Sequence, residues 1–113
     1  MTVALLRATV RSIAEALACG QYESTVAGIS SSRLSAKELQ DVIRDYGRTL
    51  VAPPGTAYEE LDAIQVKDAA VPTWSVRAPV WTAEEGRSDL TLELTISFDG
   101  DRTNVELDDL HVL

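Results

Sequence analysis

A chain of 113 residues, 45% apolar and 25% charged, has the composition of an ordinary folded domain and is long enough to bury a core of its own, so disorder is excluded. Its net charge of -8, with ten basic residues scattered singly, excludes nucleic acid and an anionic membrane surface as partners, since both are held by clustered Lys and Arg. The acidity has two readings: simple solubility, or a face that attracts a cationic protein.

Cys19 is the only cysteine, so no intrachain disulfide forms, which fits a cytoplasmic setting. Ala16 to Gly20 has the look of a lipoprotein cleavage site, but Arg7, Arg11 and Glu15 interrupt the apolar core that a signal segment requires. No run approaches the roughly 20 apolar residues of a membrane span.

In chain order, Thr2 can cap a first helix whose Val3, Leu6, Val10, Ile13 and Leu17 recur at steps of three and four, forming one apolar stripe that Gly20 ends. Gln21 to Ser32 reads equally as a short helical turn, with Tyr22, Val26 and Ile29 inward, or as a loop around Gly28 and the serine run. The next helix has the clearest start in the chain. Ser35 and Glu38 form an S-x-x-E capping box, Leu34 stands where a hydrophobic staple would meet Leu39, and Gly47 supplies a left-handed exit. Between these limits Leu39, Val42, Ile43 and Tyr46 form the buried stripe.

Thr49 to Ala52 reads as a short strand before Pro53-Pro54-Gly55, Tyr58 to Leu61 as one helical turn, and Ile64 to Val66 as another short strand. Trp74, Val76, Ala78 and Val80 then alternate with Ser75, Arg77, Pro79 and Trp81, giving one apolar strand face. Pro79 cannot donate to a ladder and marks an edge or a bulge. Thr82 to Asp89 reads as a polar connection of eight residues. The following strand places Leu90, Leu92, Leu94, Ile96 and Phe98 on one face. Asp99-Gly100 signals a hairpin. As a two-residue turn it pairs Leu94 with Val105, whereas a four-residue loop from Asp99 to Arg102 keeps the same face parity. After Leu107 the phase slips, and a bulge near Asp108-Asp109 would return Leu110 and Val112 to the core. These elements predict a single α+β domain over residues 1–113, with two N-terminal helices on a mainly antiparallel, curved sheet of the cystatin-like or NTF2-like kind.

Three places break the pattern and are where function is sought. Glu84, Glu85, Arg87 and Asp89 lie beside Trp81 and, with Trp74 as a second aromatic anchor, could form a partner-binding rim. Asp108, Asp109 and His111 form the one cluster with acid/base or metal-ligand character, but neither a nucleophile nor a third and fourth convergent ligand accompanies them. Asp99 and Asp101 lack the spacing of a calcium loop and belong to a turn, and Cys19 at a helix C-terminus reads as a packing residue. No cofactor or metal is expected.

Tyr46 to Leu50 followed by Pro53-Pro54, then Pro72 to Val76, Trp81-Thr82, Glu84 to Leu92 and Glu106 to Leu113, together resemble a family of small bacterial domains of unknown function. The resemblance implies no activity that could be carried over. The chain is therefore expected to be a non-enzymatic cytoplasmic binding protein, immunity-like or accessory, with a cationic protein as partner or a second copy of itself. The competing expectation is a small-ligand binder or small enzyme with a pocket between the first helix and the sheet, using His111 or a neighbouring Asp.

Overall fold

The structure, a computed structural model, describes residues 2–59 and 61–113, and Thr2 through its backbone alone. The capping role read for the Thr2 side chain lies outside the described residues. Helix α1 (Thr2–Ala18) buries Leu6, Val10, Ile13, Ala14 and Leu17, and Gly20 follows it at φ 75. Val3, the first member of the stripe, stays 55% exposed, so coverage of the helix begins one turn later than its periodicity indicates. Cys19 is exposed rather than packed, because it falls beyond Leu17, where the stripe ends.

Helix α2 (Tyr22–Ala27) fills the segment for which a loop was an equal reading, and Tyr22, Val26 and Ile29 pack against the core. Helix α3 (Ala36–Tyr46) opens on the expected box: Ser35 Oγ accepts from Glu38 N–H at 3.1 Å, and the Glu38 carboxylate accepts from Ser35 N–H at 3.1 Å. It closes on Gly47 at φ 75, a left-handed position that glycine occupies without steric cost. The described residues thus form three α-helices where two were expected.

The sheet is curled into a half-barrel. Its centre is an antiparallel meander of β4 (Thr73–Thr82), β5 (Gly86–Asp99) and β6 (Arg102–Val112). Strand β1 (Ser31–Ser32) adds to the β6 edge in parallel, so the sheet is mixed rather than purely antiparallel. The serine run explains this edge: Ser30 N–H donates to Val105 O at 2.9 Å, and Ser30 Oγ accepts from Val105 N–H at 3.1 Å. On the other side β2 (Leu50–Val51) and β3 (Asp62–Gln65) share the edge of β4, the first at Trp81–Thr82 and the second at Trp74–Arg77. A 3₁₀ turn at Gly55–Tyr58 lies between them, just ahead of the turn read at Tyr58 to Leu61, whose Glu60 is outside the described residues.

The inner face carries Val76, Ala78, Val80, Leu90, Leu92, Leu94, Ile96, Val105, Leu107 and Leu110, all buried against the helices. Each of the fully buried Leu and Ile side chains contributes about 1.5–3 kcal/mol, which makes this layer the main source of stability. Two irregularities adjust the strands. The β4–β5 register shifts between Pro79 and Trp81, where the proline was expected to disturb pairing. The β5–β6 register shifts between Glu93 and Leu94: Leu94 faces Leu107 while Glu93 faces Asp109, leaving Asp108 as the extra residue. Leu110 is thereby buried to 2% exposure, as the phase slip required, whereas Val112 reaches the rim of the sheet at 55%.

One hairpin takes one of the two readings left open, and the other departs from expectation. Asp99 pairs with Arg102, so Gly100 (φ 59) and Asp101 make the turn, and Ile96 rather than Leu94 faces Val105. Positive φ at the first central residue alone is the II′ pattern, and the register is that of the four-residue alternative. The eight-residue connection at Thr82 to Asp89 is instead a three-residue turn, Ala83 to Glu85, closed by Gly86 at φ 74. Strand β5 therefore begins at Gly86, and Arg87, Ser88 and Asp89 belong to it.

Candidate functional site

The outer face of the sheet, turned away from the helices, carries the side chains with chemistry. In antiparallel pairs the two opposed residues share a face, so Asp62, Arg77, Glu93 and Asp109 form one row across β3, β4, β5 and β6. Arg77 Nε lies 3.3 Å from a Glu93 carboxylate oxygen, and His111 Nε2 lies 2.7 Å from the other. The same His111 nitrogen is 3.9 Å from Asp109 Oδ2. Asp108, the bulged residue, accepts from Thr95 Oγ1 at 2.7 Å, and Asp109 Oδ1 accepts from Leu110 N–H at 2.8 Å.

Glu93 is therefore the centre of the cluster, held between a guanidinium and an imidazole. Sequence reasoning placed it only on the polar side of its strand. What joins it to Asp109 is the hairpin register together with the bulge, and the two admissible turns left that register open. Thr91, directly opposite His111, is buried and spends its hydroxyl on Asp89 O at 3.2 Å, so it is no nucleophile for the imidazole to activate. Glu93, Asp109 and His111 each offer one ligand atom within 4.8 Å of the others, a set of two carboxylates and one imidazole that suits a borderline divalent ion. Arg77 on the same carboxylate opposes a cation there.

The rim at the β4–β5 turn is not assembled as one surface. Trp74 lies on the inner face, with its ring edge-on to Phe98 at 5.7 Å between centroids, whereas Trp81 lies on the outer face against Gly86. Seven residues of strand put the two about 23 Å apart. Glu84 is a clamp: its carboxylate accepts from Thr49 N–H and Thr49 Oγ1, both at 2.9 Å. Those bonds, the backbone one foremost, hold its pKa below the ordinary glutamate value. Glu85 accepts from Tyr46 Oη at 2.9 Å and from Thr82 Oγ1 at 3.1 Å. Burial first and the neighbouring Glu85 second push the Tyr46 phenol up. Both glutamates tie the β4–β5 turn to the exit of α3, while Arg87 and Asp89 remain exposed on β5.

A model of the family described as Domain of unknown function (DUF7668) matches residues 14–113. The chain belongs to this family. The match covers the last turns of α1, the other two helices and all six strands, so the outer-face row and the Glu84–Glu85 clamp both lie within the family domain. No curated protein and no solved structure matches the chain. No helix among the described residues is long and apolar enough to cross a membrane.

Proposed function

We propose that this domain is a non-catalytic binding module that engages a cationic segment of another protein on the outer face of β5 and β6. The observation that carries the reading is the distribution of charge. Residues 84–113 hold nine carboxylates against two arginines, a balance of -7 out of the chain's -8. Five of those carboxylates, Glu84, Glu85, Glu93, Asp108 and Asp109, have hydrogen-bonding partners within the fold. Asp89, Asp99, Asp101 and Glu106 are exposed, and Asp109 is half-buried. An open sheet face with this field attracts Lys- and Arg-rich surfaces and repels a second copy of itself.

The architecture supports a place among cystatin-like or NTF2-like folds, and an immunity-like or accessory role in a cytoplasm fits a module that binds without transforming its partner. The test is affinity purification from the source organism, followed by titration of the recovered partner at increasing salt. The affinity is expected to fall steeply with salt and on Glu106→Lys with Asp109→Lys, while the circular dichroism melt stays unchanged. An interaction indifferent to both salt and charge reversal would refute the proposal.

A further inference from the structure

Because β2 and β3 divide the edge of β4 between them, Ala78 to Val80 has no strand beside it on that edge among the described residues. At this gap lies a cavity of about 120 Å³, walled by Ala14 of α1, Tyr58, Ala78 and Trp81, with Asp62, Arg77 and Arg87 also in its lining. A cavity of about 150 Å³ is enough to take a benzene ring, so this one accommodates a body of that order or slightly smaller.

The guanidinium groups of the wall point to an occupant. Tyr58 is 7% exposed and lines the cavity with atoms other than its Oη, which is itself buried. Arg87 forms no ion pair among the described residues despite the acidity of the chain, and Arg77 engages Glu93 through Nε, leaving its terminal amino groups available. Asp62 and the Glu93 that pairs with Arg77 match the two positive charges in number, which leaves Arg87 as the guanidinium free for an incoming anion among the described residues.

We propose that this cavity binds a small monocarboxylate with a flat or compact apolar body of about six heavy atoms. The body lies against Trp81 and Tyr58, and the carboxylate is taken by Arg77 and Arg87, whose planar donors match a carboxylate better than a lysine would. With one guanidinium uncommitted, a monoanion is favoured over a dianion such as phosphate. The site meets the partner-binding face only at Arg77, which pairs with Glu93, and Glu106 and Asp109 do not line it.

Titration of the purified full chain with benzoate and with 4-hydroxybenzoate, followed by isothermal calorimetry and by the Trp81 indole signal in NMR, tests this. Saturable binding is expected, weakened about tenfold by Arg87→Gln and similarly by replacing the carboxylate with an alcohol, as in benzyl alcohol. Tyr58→Phe is expected to leave benzoate affinity in place, since the buried hydroxyl does not face the cavity. Absence of saturable binding by either acid, equal affinity for benzylamine, or an Arg87→Gln protein that melts normally and binds benzoate as well as the parent would each overturn the proposal.

Discussion

Replacing Tyr58 with Phe removes one oxygen from a buried side chain and leaves its ring in place. In most proteins the loss of a buried tyrosine hydroxyl destabilises, because a hydrogen bond goes with it. Here Oη has no partner among the described residues, so folding incurs its desolvation with no bond formed in return. An unsatisfied buried group of this kind costs about 1–3 kcal/mol, and the lower end suits a hydroxyl beside a cavity. At about 2.1 cal/mol/K per residue, a chain of this length has an unfolding entropy of about 0.24 kcal/mol/K, so 1 kcal/mol corresponds to about 4 °C in Tm. Tyr58→Phe is therefore expected to raise the melting temperature of the ligand-free protein by about 4 °C in scanning calorimetry. A Tm unchanged or lowered would mean that the hydroxyl is already bonded, and the reasoning would fail with it.

Ser35→Ala removes the acceptor at the N-cap of α3 and should cost about 1 kcal/mol, again about 4 °C, with urea unfolding as the check on magnitude. Glu84, with its pKa depressed, contributes stability that is present above the ordinary glutamate value and lost as the pH falls through the lower folded value. Glu84→Gln should thus flatten the acid limb of a Tm-against-pH curve, and an unaltered limb would show that the clamp on Thr49 contributes nothing. Deleting Asp108 should leave the fold standing with Tm within about 4 °C, since Leu107, Asp109 and Leu110 then alternate without interruption and only the bond from Thr95 is lost. Collapse of the deleted protein would show that the bulge itself is needed.

Much of this architecture could be read from residue order alone. The capping box at Ser35 and Glu38 is local chemistry, and the inner face of β5 is written in a plain alternation of Leu and Ile, so both stood out. The bulge was legible because Leu110 falls out of phase with Leu107, and only an extra residue could return it inward. The start of β5 was hidden because Ser88 occupies a core position as a polar residue. Its hydroxyl bonds Val80 O at 2.7 Å, and without that contact in view the segment resembles a loop. Strand β1 is two residues long and has no period to read. The cluster around Glu93 depends on a hairpin register that two turn types satisfied equally, and the cavity depends on how β2 and β3 share one edge, which no local pattern encodes.

That shared edge also governs how the protein behaves when crowded. A ten-residue strand with one long side unpaired would offer a template for intermolecular strand addition. On β4 the exposed stretch is cut to the few residues around Pro79, which has no N–H to lend to an incoming chain. The division that opens a cavity in the sheet thus leaves β4 without a long edge on which another chain could add.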